Sequence, residues 1–152
     1  MSSPNLEALP QALAGHAGYL LVRVGKHAQR MFSLAVDRLG LRPSHCDVLL
    51  LLAERGALAQ VDIAGTLLIE RAHLVALLDQ LEARDLVKRE ADPRDRRRHA
   101  VRLTEAGAAV TAEVAALAVQ VEGELLGELD PAERTLFREI LGRIARDADE
   151  GD

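Results

Sequence analysis

Aromatic side chains are nearly missing from this chain of 152 residues, which has no tryptophan and only Tyr19, Phe32 and Phe137 as its 2% aromatic content. Because 49% of the residues are nonetheless hydrophobic, a core must be built from Leu, Val, Ile and Ala, a palette that favours helix packing. The single cysteine, Cys46, excludes an internal disulfide framework and any CxxC metal or redox motif, in agreement with a reducing compartment. No run approaches the roughly 18 uninterrupted apolar residues of a membrane span. Residues 1–5 lead into no basic region and apolar stretch of signal-peptide type. A soluble, cytoplasmic protein without a membrane partner is expected. Catalytic signatures are missing too: there is no Gly-rich phosphate loop, nucleophile elbow or HExxH, and Cys46 has no base and orienter set beside it. His16, His27, His45, His73 and His99 show no two-ligand spacing. No enzyme activity, cofactor or metal site is expected.

The formal net charge of −5 at first argues against a nucleic-acid partner, since phosphate binding needs positive charge somewhere on the surface. Its distribution argues the other way. Between Arg84 and Arg102 eight basic residues (Arg84, Lys88, Arg89, Arg94, Arg96, Arg97, Arg98, Arg102) stand against four acidic ones (Asp85, Glu90, Asp92, Asp95). A local excess of positive charge in an otherwise acidic chain is the footprint that a DNA contact requires.

Apolar residues at Leu13, Ala17, Leu20, Val24, Ala28, Met31, Ala35 and Leu39 recur at steps of three and four, which predicts one long amphipathic helix ended by Gly40. Pro43 at a first helical position and the apolar run Val48 to Ala53, closed by Gly56, predict a short buried second helix. A brief third helix is read over residues 60–67 and a fourth over 71–84, with Leu74, Leu77, Leu78 and Leu81 on one face, so the pair forms a helix-turn-helix candidate. Leu86, Val87 and the alternating segment 100–104 bracket a polar, Pro-containing stretch and predict a two-stranded hairpin whose tip is that stretch. Thr104 opens a helix with Val110, Val114, Leu117, Val121 and Leu125 in register. Asp130-Pro131-Ala132-Glu133 opens the last one, with Asp as N-cap, Pro in the first turn and Glu three residues on.

The expected fold is mainly α with a small β-hairpin wing. It forms a single domain over residues 1–152, with a winged helix-turn-helix at about 43–104 and outer helices at about 10–40 and 105–148. Those outer helices carry more apolar face than the central motif covers, and burying it is worth about 25 cal/mol per Å². Association into a homodimer is the economical solution. A two-fold dimer also sets two reading heads at a fixed spacing for a pseudo-palindrome.

The run Asp-Pro-Arg-Asp-Arg-Arg-Arg-His-Ala-Val-Arg-Leu-Thr-Glu-Ala-Gly from Asp92 to Gly107 closely resembles the wing and following helix start of the MarR family of bacterial regulators. Leu81-Glu82-Ala83-Arg84-Asp85-Leu86-Val87-Lys88-Arg89 resembles that family's passage from recognition helix to wing. The resemblance implies an obligate dimer that represses or activates nearby genes, often relieved by small phenolic or anionic ligands or by oxidation. Three positions depart from the family pattern. Asp85 stands where Gly usually precedes Leu-Val, Ala59 where a Ser or Thr N-cap opens the third helix, and Leu68 where the turn often has Gly. Asp tolerates a left-handed backbone better than most residues.

On a helical wheel centred on the leucine face of the fourth helix, Ala72, Val75, Ala76, Asp79, Gln80 and Ala83 point outward, with His73 flanking and Arg71 in the first turn. Arg71 suits guanine or a phosphate, Gln80 suits adenine, and Ala72, Val75 and Ala76 suit thymine methyls. Asp79 has the wrong sign and is expected to face away from phosphate or to pair with a basic neighbour. In the wing, the resemblance implies that Asp95 and Arg97 form a bracing ion pair while Arg94, Arg96 and Arg98 meet double-stranded DNA. An arginine in a narrow minor groove reads shape and A·T content.

Cys46 invites a redox-sensing reading, but Asp47 beside it raises a thiol pKa while the helix start and His45 pull the other way, so a buried, inert cysteine is favoured. His16, Arg23 and His45 are candidates for an effector pocket between the dimer helices and the reading head. A sequence-specific, ligand-responsive repressor is the function read from this pattern. The alternatives are a winged-helix interaction module that titrates another regulator, and a repressor sensing oxidation through Cys46.

Overall fold

The structure is a computed structural model, and the described residues are 10–92 and 95–149, side chains excepted at 92, 95–99 and 147–149. Among the described residues, seven helices and three strands follow in the order α1 (Gln11–Ala14), α2 (Ala17–Asp37), α3 (Pro43–Arg55), β1 (Leu58–Ala59), α4 (Gln60–Leu67), α5 (Arg71–Ala83), β2 (Val87–Asp92), β3 (Asp95–Leu103), α6 (Glu105–Leu125) and α7 (Pro131–Asp149). The strands form one antiparallel sheet in the order β1-β3-β2. This is a mainly helical winged-helix fold.

Packing is organised around α3, which buries His45, Cys46, Val48, Leu49, Leu51 and Leu52. Against it lie Ile63 and Ala64 of α4, Leu74, Leu78 and Leu81 of α5, Val87 and Val101 of the sheet, and Val114 and Leu117 of α6. The near-continuous apolar run read in the sequence at 48–53 thus belongs to a helix enclosed on most sides. In contrast, none of the described side chains from 131 to 146 in α7 is buried.

Three sequence expectations change. The single long first helix is two, because Gly15 and the extended His16 (φ −100°, ψ 117°) interrupt it. Gly carries the weakest propensity of any non-proline residue to continue a helix. The wing strands run well into the polar stretch assigned to the tip, with Lys88 opposite Arg102 and Glu90 opposite Ala100. Residues 88–91, Lys-Arg-Glu-Ala, carry no apolar alternation although they pair in the ladder, so a period of two does not mark them. Finally, β1 joins the sheet through Leu58 opposite Val101 and Ala59 opposite Ala100, and two residues are too few to show any period.

Asp85 takes the left-handed backbone expected at its turn. Leu68 (φ 52°) and Asp85 (φ 57°) are both left-handed, and Ala59 stands at the start of α4 without a side-chain cap. Thr104 caps α6 by accepting from the Gly107 N–H at 2.9 Å, and its hydroxyl donates to the Asp85 carbonyl. Asp130 Oδ1 accepts from the N–H groups of Ala132 (2.8 Å) and Glu133 (2.9 Å), while Glu133 accepts from the Asp130 N–H (2.8 Å), a reciprocal cap of α7.

Candidate nucleic-acid interface

Leu74, Leu77, Leu78 and Leu81 seat α5 in the core, which leaves Arg71, Ala72, His73, Val75 and Ala76 exposed on the helix's other side. Glu70 provides no side-chain cap, so the first-turn N–H groups of α5 are open to an anion. A cleft of about 280 Å³ between the starts of α4 and α5 is lined by Gln60, Val61, Arg71, Leu74 and Val75. Small and apolar groups with a cation at one end form a surface that a base-pair edge and its phosphate can approach closely.

Half of the basic residues in the charged segment are occupied within the fold. Arg89 on β2 donates to Asp79 at 2.7 Å, to Glu82, and to the Val75 carbonyl at 3.4 Å, and its own N–H donates to Glu82 at 3.0 Å. These bonds hold the Glu82 carboxyl below its usual pKa, the Arg89 N–H being the largest cause. They also fasten the first wing strand to α5 and give Asp79 the basic neighbour expected for it. Arg102 makes a two-pronged pair with Glu90 at 2.8 Å for each bond, and Lys88 joins it at 3.2 Å. Arg84 donates to the carbonyls of Leu39 and Gly40. The four remaining cations, Arg94, Arg96, Arg97 and Arg98, and the bracing partner Asp95 have side chains outside the described residues.

Gln80 is differently placed from the rest of the outward face. Its Oε1 accepts from Arg42 at 2.7 Å and lies 3.0 Å from His45 Nε2. His45 Nδ1 accepts from the Arg42 N–H at 3.1 Å, so the ring proton resides on Nε2 and points to Gln80. Burial lowers the His45 pKa first, with Arg42 and Arg84 adding to the effect and the Gln80 bond opposing it. The Gln80 carbonyl is therefore spent inside the protein, and its two-sided pairing with adenine is excluded in this arrangement. Only its amide N–H groups remain as donors.

The effector candidates are not gathered by one chain. His16 opens α2, whose 21 residues extend about 30 Å, and His45 follows the far end of that helix. Arg23 lies against Tyr19, 5.9 Å from the ring centroid. Cys46 is fully buried, and burial first, then Asp47, pushes its thiol up to about 11.

Residues 39–98, spanning the reading head and most of the wing, match the model of the MarR family. The transcriptional regulator HosA of Escherichia coli is 32% identical over 93 residues, which cover 61% of this chain and 69% of HosA. Among solved structures, the transcriptional repressor CouR bound to a 23-mer DNA duplex superposes with a TM-score of 0.81 at 36% identity, covering 90% of this chain and 98% of that one. The chain belongs to the MarR family. BpsR of Bordetella bronchiseptica, whose DNA binding is regulated by 6-hydroxynicotinic acid, superposes at 0.77 with 29% identity over 90% of this chain and 98% of its own. MarR-family proteins are transcriptional regulators rather than enzymes, and this MarR-family regulator carries their winged-helix DNA-binding fold. No helix among the described residues is long and apolar enough to cross a membrane.

Arg42, Arg84 and Arg89 are the positions that sequence reasoning passed over. Arg89 had a signal: Asp79 and Glu82, three apart, share a helix face and call for a cation. Arg42 and Arg84 had none, because their partners lie 38 to 45 residues away.

Proposed function

We propose that this MarR-family regulator is a cytoplasmic homodimeric repressor. It lays α5 of each protomer in the major groove of a pseudo-palindromic operator, sets the wing in the adjacent minor groove, and releases DNA when a small phenolic or anionic effector binds. The observation that carries this reading is the exposed stripe of Ala72, Val75 and Ala76, with Arg71 and His73 at its edges, beside a wing with arginines at 94, 96, 97 and 98. Arg71 and the wing residues Arg94, Arg96 and Arg98 contact DNA, and Asp95 with Arg97 stiffens the ribbon. Gln80 contributes at most a donated hydrogen bond.

The dimer reading rests on apolar surface that one chain leaves in water. Leu13, Val22 and Leu34 on α1 and α2, Val119 on α6, and Leu136, Ile140 and Ile144 on α7 are all exposed. Exposed apolar residues concentrated on the outer helices suit an interface, and an isologous two-fold arrangement buries the same faces on both copies.

The effector class is supported by BpsR, which responds to a hydroxylated aromatic acid. Such a ligand releases DNA only by binding the non-DNA arrangement of the heads more tightly. Since one chain holds His16 and His45 at opposite ends of α2, a pocket using both draws them from different protomers. A buried thiol whose pKa is about 11 is almost wholly protonated at neutral pH, so Cys46 is packing rather than a peroxide sensor.

A salt-titrated gel shift on DNA upstream of the protein's own gene tests this reading, repeated with 6-hydroxynicotinic acid, other hydroxylated aromatic acids, and peroxide. Expected are a retarded complex at low salt, its steep weakening with salt, release by one of the acids, and no release by peroxide. Absence of a complex at low salt overturns the DNA-binding reading in favour of a protein-interaction module. Release by peroxide that disappears in Cys46→Ser overturns the view of the cysteine.

A further inference from the structure

Gln80 and Arg84 lie four residues apart, so they share one stripe along the C-terminal half of α5. That stripe continues the row of the exposed Ala72 and Ala76, which stand at the same four-residue step nearer the start of the helix. It meets the junction between α2 and α3. Arg84 donates one guanidinium nitrogen to the Gly40 carbonyl and the other to the Leu39 carbonyl, each at 2.7 Å. One turn earlier, Gln80 receives Arg42 and His45 at 2.7 and 3.0 Å.

The chemistry of these ties is specific. Leu39 and Gly40 follow the last turn of α2, where carbonyls lack helical partners and the helix dipole favours a cation. The left-handed backbone of Gly40 (φ 64°) turns the chain there, and the planar two-pronged guanidinium matches two neighbouring carbonyls in a way that a single ammonium does not. Arg84 is itself the residue that terminates α5. The end of α2 and the end of α5 are thereby fastened through short charge-assisted bonds, with the neutral His45 ring securing the second tie.

We infer that Arg84 is a positioning residue: together with Gln80 it latches the recognition helix to the end of α2, so that the angle of α2 in the dimer sets the spacing of the two reading heads. This inference rests on the reading of a dimer that binds two half-sites. Its consequence is selectivity for half-site separation. One added base pair moves a half-site by about 3.4 Å along the duplex, which latched heads resist and unlatched heads follow.

Two measurements on the full chain test it. Operators carrying the natural centre, one base pair fewer and one more are titrated with wild type, Arg84→Ala and Arg84→Lys. Wild type is expected to favour the natural spacing by about tenfold. Both variants are expected to flatten that preference to roughly twofold or less, and Arg84→Lys, which keeps the charge, shows that the loss is not one of phosphate attraction. In parallel, spin labels at Ala83→Cys in a Cys46→Ala background report the head-to-head distance by pulsed dipolar spectroscopy. The distribution is expected to broaden in Arg84→Ala while sedimentation still gives a dimer. A variant that binds all three operators more weakly by the same factor, with an unchanged distance distribution, overturns the latch and leaves Arg84 as ordinary packing. Labelled protein with Arg84 intact that shows no dipolar coupling, or wild type that shows no DNA binding, overturns the dimer or DNA reading itself, and the latch with it.

Discussion

Leu68 bears a conformational cost that its side chain does nothing to offset. Its backbone is left-handed, and the side chain is 84% exposed, so burial does not compensate the roughly 1–2 kcal/mol that a Cβ costs in that region. Leu68→Gly is expected to stabilise the fold by about 0.5–1 kcal/mol, the relief of the clash less the added freedom of the unfolded chain. A denaturant midpoint at or below that of the wild type refutes it. His45 carries a pH dependence of definite sign. Its folded pKa lies below 6.5, so the neutral ring contributes stability that is fully present above the unfolded value and is lost as pH falls through the folded one. Protonation at Nδ1 removes the acceptor for the Arg42 N–H. Two-bond ¹⁵N–¹H spectra along a pH series are expected to show His45 keeping its neutral Nε2–H form to lower pH than free imidazole does, and protonation at or above the pH of free imidazole counts against the buried network.

Among the elements, α6 depends on one glycine for its approach to the wing. A Cβ on Gly107 falls 1.8 Å from the Leu86 carbonyl oxygen, and that same carbonyl accepts from the Thr104 N–H at 3.1 Å. Neither backbone can yield without loosening the Thr104 cap. Gly107→Ala is therefore expected to cost about 3 kcal/mol, at the upper end of overpacking penalties, with thermal unfolding as the measure and Ala106→Gly as a control for propensity. This contact explains why the run Thr104 to Gly107 was informative as a sequence: the Thr is a cap and the Gly a point of close approach. Helices α3, α6 and α7 were legible for the same kind of reason, since each begins or ends on a residue with a local job: Pro43 and Gly56, Thr104, and Asp130. What escaped was non-local. The pairing of Leu58 with Val101 and the reach of Arg84 to Gly40 join segments more than forty residues apart, and no period or spacing within either segment records the other. Gln80 was misjudged for that reason, its wheel position being outward but its carbonyl claimed by α3.

For the molecule as a whole, net charge is a poor guide and the fate of each cation a better one. Of the eight basic residues from Arg84 to Arg102, Arg84, Lys88, Arg89 and Arg102 spend their charge on carbonyls and carboxylates of the fold. The Glu90 carboxyl is the partner of two of them, and its bonds with Arg102 and then Lys88 hold its pKa down to about 2. On the proposed reading, an arginine that stays so engaged would release no counterion from DNA, because it would make no new contact with phosphate. Salt dependence separates the two groups of cations. Each phosphate contact steepens the slope of log K against log salt by about 0.9, so Arg96→Ala combined with Arg98→Ala is expected to flatten the slope by about 1–2 and to weaken binding to all sequences alike. Arg102→Ala is expected to leave the slope unchanged while returning the Glu90 pKa toward its ordinary 4.5. Fluorescence anisotropy on a labelled operator from low to moderate salt measures both. Equal flattening by the Arg102 and the paired wing variants would mean that the ribbon lies along the phosphates over its whole length, and that DNA competes with Glu90 for Arg102.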